Sequence, residues 1–160
     1  MKKIMLLLAV MTLNTACISS SLVDSDIAEV GETLDYGDYS SVTLATKSWE
    51  ALEKGDHLET LAYTQKCVEL YGETGKEMNA ELTNFAPIEK VNDYWALNDA
   101  GTCQYIMATV YERRRMYPEA AQAFQTLAED FTYTQCWDPK GWYWHPASGA
   151  ATKAKKYAYK

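Results

Sequence analysis

Residues 108–131 read ATVYERRRMYPEAAQAFQTLAEDF, and the placing of their alanines and aromatics decides the fold. Tyr117, Ala120, Ala121, Phe124, Leu127, Ala128 and Phe131 recur at intervals of three and four, the signature of a helix with one apolar face. Pro118 stands where proline favours helix entry, and Glu119 follows in the first turn. Upstream, residues 92–115 carry an equally wide apolar face through Leu97, Ala100, Gly101, Cys103, Met107, Ala108, Val110 and Tyr111. Arg113, Arg114 and Arg115 close that helix with cations that oppose its dipole. Two helices so tightly joined must lie antiparallel.

The same grammar appears earlier in the chain. Ala45, Trp49 and Leu52 mark a helix over 42–54, Gly55-Asp56 supplies a turn, and Leu58, Leu61, Val68 and Tyr71 form the stripe of a second helix starting at His57. Gly72 and Gly75 weaken its extension toward Leu82, and Asn84-Phe85-Ala86-Pro87 breaks it. After Pro146, a short helix is predicted on Ala147, Ala150, Ala151, Ala154 and Tyr157. The expectation is an all-α domain of about five helices over residues 41–160, with no strand required.

An internal repeat strengthens that reading: HLETLAYTQKCVELY at 57–71 overlays YPEAAQAFQTLAEDF at 117–131, pairing Glu59 with Glu119 and Tyr71 with Phe131. The run Ala108-Thr109-Val110-Tyr111, Tyr117-Pro118-Glu119-Ala120-Ala121 and Phe124 resembles a tetratricopeptide repeat. Thr132 replaces the usual closing proline, and the first unit has Ala51 and Thr64 at the positions of the tyrosine and the large apolar residue. The units lie 60 residues apart, so an insertion of about 26 residues must lengthen the helices or the loop between them. With Trp95-Ala96-Leu97-Asn98-Asp99 and Gln135-Cys136-Trp137-Asp138-Pro139-Lys140-Gly141-Trp142, residues 41–147 as a whole resemble small exported bacterial tetratricopeptide-repeat proteins. That resemblance implies a right-handed α-solenoid, and no catalytic residue is carried over with it. In such solenoids the first helix of each pair lines the concave side, which makes Tyr105, Thr109, Glu112 and Arg113 the candidate partner-binding groove; a solvated face is the alternative.

The chain starts differently. Lys2 and Lys3 precede the apolar run Ile4 to Met11, and small residues follow, the pattern of a secretory leader over 1–16. Leu13-Asn14-Thr15-Ala16-Cys17 resembles the lipobox of bacterial lipoproteins, with Asn14 where leucine is usual. It implies lipid attachment at Cys17, ordinary leader cleavage or an uncleaved anchor being the alternatives. Residues 17–40, rich in Ser, Asp and Gly, then read as a tether without a sustained helical stripe. The expected location is the bacterial envelope: membrane-anchored, facing the periplasm, with Ile18 after Cys17, in place of an aspartate, favouring the outer membrane by analogy with enteric lipoproteins. A soluble periplasmic or secreted form is the alternative.

Formal net charge is −7, and cleavage of a leader holding Lys2 and Lys3 makes the chain more acidic still. Such a chain repels phosphate backbones, which argues against nucleic acid as a partner. With Cys17 lipidated, Cys67, Cys103 and Cys136 remain. They show no metal-ligand spacing and read as buried free thiols, a bridge between Cys103 and Cys136 being the alternative. His57 and His145 are the only imidazoles, and neither sits in a motif with a nucleophile. No enzyme, metal or cofactor is expected.

The densest aromatic segment, QCWDPKGWYWHP at 135–146, brings Trp137, Trp142, Tyr143 and Trp144 together. A solenoid's last hairpin needs a cover, so these rings are expected to lie across it as a cap; the competing reading is a stacking platform for a glycan or peptide. The functional expectation is a non-enzymatic, envelope-associated adaptor for a protein or peptide partner, or else a structural subunit of an envelope assembly.

Overall fold

The computed structural model describes residues 15–160, with side chains from residue 24 onward. Of the leader expected over 1–16, residues 1–14 lie outside that description, as does the side chain of Cys17. Among the described residues six helices run in order: α1 (Thr15–Thr33), α2 (Ser41–Lys54), α3 (His57–Ala80), α4 (Trp95–Arg113), α5 (Tyr117–Asp130) and α6 (Ala150–Ala158). A 3-10 turn over Ile88–Tyr94 precedes α4, and a two-stranded ribbon, β1 (Cys136–Asp138) and β2 (Trp142–Trp144), separates α5 from α6. The chain is predominantly helical, as its periodicity predicts.

The tight turn between α2 and α3 follows from two residues. Gly55 adopts the left-handed conformation (φ 78°) and its N–H donates to Leu52 O at 3.2 Å, closing α2. Asp56 then caps α3 by accepting from Glu59 N at 3.0 Å. Between α4 and α5 the corresponding left-handed residue is Arg115 (φ 60°), and Met116 N donates back to Tyr111 O at 2.9 Å. Pro118 sits in the first turn of α5, where its missing N–H costs nothing.

Helix α4 is the centre of the packing and lies against α2, α3 and α5. Leu97, Ala100, Ile106, Ala108 and Val110 are wholly buried, as are Phe124 and Leu127 of α5. The insertion between the repeated units is shared between a long α3 and the 81–94 segment that leads into α4.

Helix α3 runs on through Gly72 and Gly75, the extension that those glycines weaken in sequence: Gly75 is where Ala96 O and the Phe131 ring come closest, 3.0 and 3.1 Å from where a Cβ would stand. The absence of a side chain there permits contact, which offsets its weak propensity. Other expectations are corrected: residues 17–40, read as a tether without a sustained helical stripe, include most of α1, whose Ile27 is buried and which packs on α3. A strand pair is present after all, in register Cys136↔Trp144, Trp137↔Tyr143 and Asp138↔Trp142. Asp138-Pro139 turns the ribbon; Asp138 accepts from Lys140 N at 2.9 Å through its side chain and from Gly141 N at 2.8 Å through its carbonyl. The tryptophan segment does not cap the last hairpin. Helix α6 does, burying Ala150, Ala154 and Tyr157 against α5, with the Tyr157 ring stacked 5.5 Å from Tyr117.

Candidate functional site

Two helical stripes face each other across an open cleft. Val42, Ala45, Thr46 and Trp49 of α2, and Trp95, Asn98, Asp99 and Thr102 of α4, line its sides. Both sets fall at i, i+3, i+4 and i+7, so each is one face of its helix. Trp137 and Tyr143 of the ribbon complete the wall around a volume of about 540 Å³. Val42, Trp95 and Trp137 are 60%, 45% and 54% exposed, which is a large apolar surface to leave in water.

Hydrogen bonds hold the ribbon over this cleft. Asn98 donates through Nδ2 to Val91 O at 2.8 Å and accepts from Gln135 N at 2.9 Å, while Gln135 Nε2 donates to Ala86 O at 3.0 Å. Thr134 is buried directly on Gly101, where even a Cβ would lie 2.0 Å from its Oγ1. The ribbon is thus tied to α4 and to the 81–94 segment before its first strand begins. At its far end, Trp144 packs on Trp49 and Tyr105, with ring centroids 6.4 and 5.0 Å away.

Asp99 supplies the only ionisable carboxylate or amine in the cleft lining. Its Oδ2 accepts from the Ser41 hydroxyl at 2.6 Å, at the N-terminal end of α2. Burial pushes its pKa up, and the Ser41 bond works against that rise. The positive end of the α2 dipole also favours the ionised form.

The residues singled out as a groove lie further along the same stripe of α4. Tyr105 is half-buried among Trp49 and Trp144, and Thr109 donates to Tyr105 O at 2.9 Å. Glu112 is engaged by α6: Lys153 Nζ donates to it at 2.7 Å, and the Tyr157 hydroxyl donates to its other oxygen. Arg113 is exposed at the end of the helix. None of the four lines the cleft. Of the four aromatic residues, Trp137 and Tyr143 do, Trp142 is 49% exposed at the ribbon's tip, and Trp144 serves as packing. Trp95 and Asp99 were legible as an aromatic and a carboxylate four residues apart on one helix face, but no sequence signal says which part of that face stays open.

The remaining chemistry lies elsewhere, apart from Cys136 in the cleft lining. His57 begins α3, where burial and then Arg114 and Arg113 hold its pKa down. His145 stacks on Phe85 with centroids 3.8 Å apart. Cys67, Cys103 and Cys136 are all free thiols. Burial pushes Cys103 well up and Cys136 up, which keeps both protonated and weakly nucleophilic at neutral pH. Among the described residues, no three His, Cys, Asp or Glu side chains converge as a metal site, and no helix is long and apolar enough to cross a membrane. No family model, curated protein or solved structure matches the chain.

Proposed function

We propose that this chain is an envelope-tethered, non-enzymatic adaptor of tetratricopeptide-like arrangement that holds a segment of a protein partner in the cleft between α2, α4 and the ribbon. The observation that carries the reading is the pair of facing stripes, Val42/Ala45/Thr46/Trp49 and Trp95/Asn98/Asp99/Thr102, left open beneath exposed tryptophans. Covering the exposed halves of Trp95 and Trp137 removes on the order of 200 Å² from water, roughly 5 kcal/mol before ordering costs are subtracted. That is enough to anchor a peptide. The polar groups around the rings, Thr46, Asn92 and Thr102, would fix its direction.

The envelope location rests on the charged and apolar start of the chain and on Cys17 in its lipobox-like setting. The arrangement of α2 with α3 and of α4 with α5 as successive antiparallel pairs, with α2 and α4 adjacent, is what a tetratricopeptide-like stack requires. Neither imidazole lines the cleft, which suits binding without catalysis.

A photo-crosslinking amino acid placed in cells at Val42 or Trp137, and at Gln125 and Lys155 on the α5–α6 side as controls, tests this. A discrete adduct confined to the cleft positions is the expected result. Adducts at the control positions alone, or none at any position, would refute the cleft as the docking face.

A further inference from the structure

We infer that the cleft takes a cationic side chain, the ammonium or guanidinium of a lysine or arginine on the partner, with Asp99 as its counter-charge and the rings of Trp95 and Trp137 as its walls. This rests on the adaptor reading and names the chemistry of what enters.

The cleft lining is one-sided in charge. Asp99 is its only charged member, and no Lys, Arg or His is among the lining residues. Asp99 forms no ion pair among the described residues, where Lys47 pairs with Asp35 at 3.6 Å and Lys153 with Glu112 at 2.7 Å. Lys140, on the ribbon's turn, lies over the Trp142 ring, 5.9 Å from its centroid. A half-buried carboxylate facing a cleft with no cation of its own is costly to keep, and a cation supplied from outside relieves that cost. Among the described residues, Oδ2 accepts from Ser41 at 2.6 Å and Oδ1 accepts no hydrogen bond.

The walls point the same way. Aromatic faces carry negative potential, and cations bind against them best when partly desolvated. Trp95 is held edge-on by Tyr71 at 5.6 Å, and Trp137 by Tyr143 at 5.1 Å, so both rings are braced while about half of each remains exposed. The stems of lysine and arginine are apolar and suit the flanking Val42 and Ala45. A net charge of −7 draws a basic partner toward the chain from a distance. A carboxylate or phosphate ligand would meet repulsion from Asp99 without any compensating cation.

The test titrates the full chain with four acetylated, amidated tripeptides, Gly-Xaa-Gly with arginine, lysine, citrulline or norleucine at Xaa, read by tryptophan fluorescence. Arginine and lysine peptides should bind at least about tenfold tighter than citrulline and norleucine. Asp99→Asn, which retains an oxygen for the Ser41 hydroxyl, should abolish that preference while leaving the melting curve close to wild type. Equal affinity for charged and neutral peptides in the wild-type chain overturns the inference whatever the variant does. So does the absence of binding up to about 10 mM. The adaptor reading falls separately: cleft-confined crosslinks without charge preference would sink only the cation.

Discussion

Gly101→Ala is the most demanding test of how the ribbon is seated. Alanine is the better helix former by about 1 kcal/mol, so propensity alone predicts a gain in stability. The structure predicts the opposite. A Cβ at position 101 would lie 2.0 Å from Thr134 Oγ1, 2.8 Å from its Cγ2 and 2.9 Å from its Cβ. None of these atoms is the end of a long flexible chain, and Thr134 has no exposed surface. Its hydroxyl donates to Phe131 O at 2.9 Å, with Leu97 O also in reach at 3.3 Å. Rotating it away breaks a buried bond, and keeping it means moving the 131–135 segment off α4. Overpacking of this kind costs about 1–3 kcal/mol, and an orphaned buried hydroxyl about as much again. After the propensity gain is subtracted, the expected net loss is about 1–5 kcal/mol, whose midpoint near 3 kcal/mol corresponds to roughly 9 °C in Tm for a domain of this size.

Thermal and urea unfolding followed by circular dichroism would measure that loss. Thr134→Ala in the same chain removes both Oγ1 and Cγ2, leaving the single 2.9 Å approach, so the double variant should recover part of what Gly101→Ala loses. Because Thr134 leads directly into Gln135 and β1, the single variant should also weaken crosslinking or peptide capture in the cleft. An unchanged or raised Tm for Gly101→Ala would refute the close seating of Thr134 on α4, and with it the account of how the ribbon is positioned.

Two further outcomes follow from the geometry. Trp144→Ala removes a ring packed on Trp49 and Tyr105 and should cost about 2–3 kcal/mol, whereas Trp142→Ala, 49% exposed, should cost under about 1 kcal/mol; equal losses in paired melting curves would contradict the division of labour between them. Glu112 is affected first by burial, which raises its pKa, but the bonds from Lys153 and Tyr157 outweigh it and the net direction is down. Its contribution is therefore fully present above the ordinary carboxylate range and lost as pH falls through the lowered folded value, so the stability gap between wild type and Glu112→Gln, about 1 kcal/mol at pH 7, should close in acid; a gap independent of pH would remove Glu112 as the tie between α4 and α6.

The helices were legible because each buries a stripe, and a stripe writes itself into the order of residues. Ala120, Phe124 and Leu127 are buried as their spacing demands. Helix α1 was not legible because, over residues 24–33, only Ile27 is buried, and a single buried residue shows no period. The ribbon escaped for a related reason: three-residue strands are too short to show alternation, though the aromatic triplet and the Pro-Lys-Gly turn beside it carry β and turn preferences. Gly75 weakened the extension of α3 in sequence because propensity counts backbone entropy within one helix, while its value here lies in what Ala96 and Phe131 gain by approaching. For the groove, the chosen stripe of α4 was the one that reaches the cleft, but its open half is 95–102. The half containing Tyr105 and Glu112 is occupied by Trp144 and α6.

That occupation gives the aromatic segment its meaning. Side chains alternate along each strand, and the observed register places Trp137 opposite Tyr143 on one face, with Trp142 and Trp144 on the other. Trp144 fills the closed half of the α4 stripe beside Tyr105, while Trp137 and Tyr143 wall its open half. A slip of one residue in the ribbon would exchange these roles, exposing the packing ring and burying the wall. The turn that sets the register, closed by Asp138 on Lys140 N and Gly141 N, therefore bears on the cleft as directly as any residue lining it. Because α6 already covers α5, the rings are not needed as a cover there. Half-exposed indoles held by bracing tyrosines, beside a carboxylate with no ion pair among the described residues, are not what an ordinary hydrophobic plug requires.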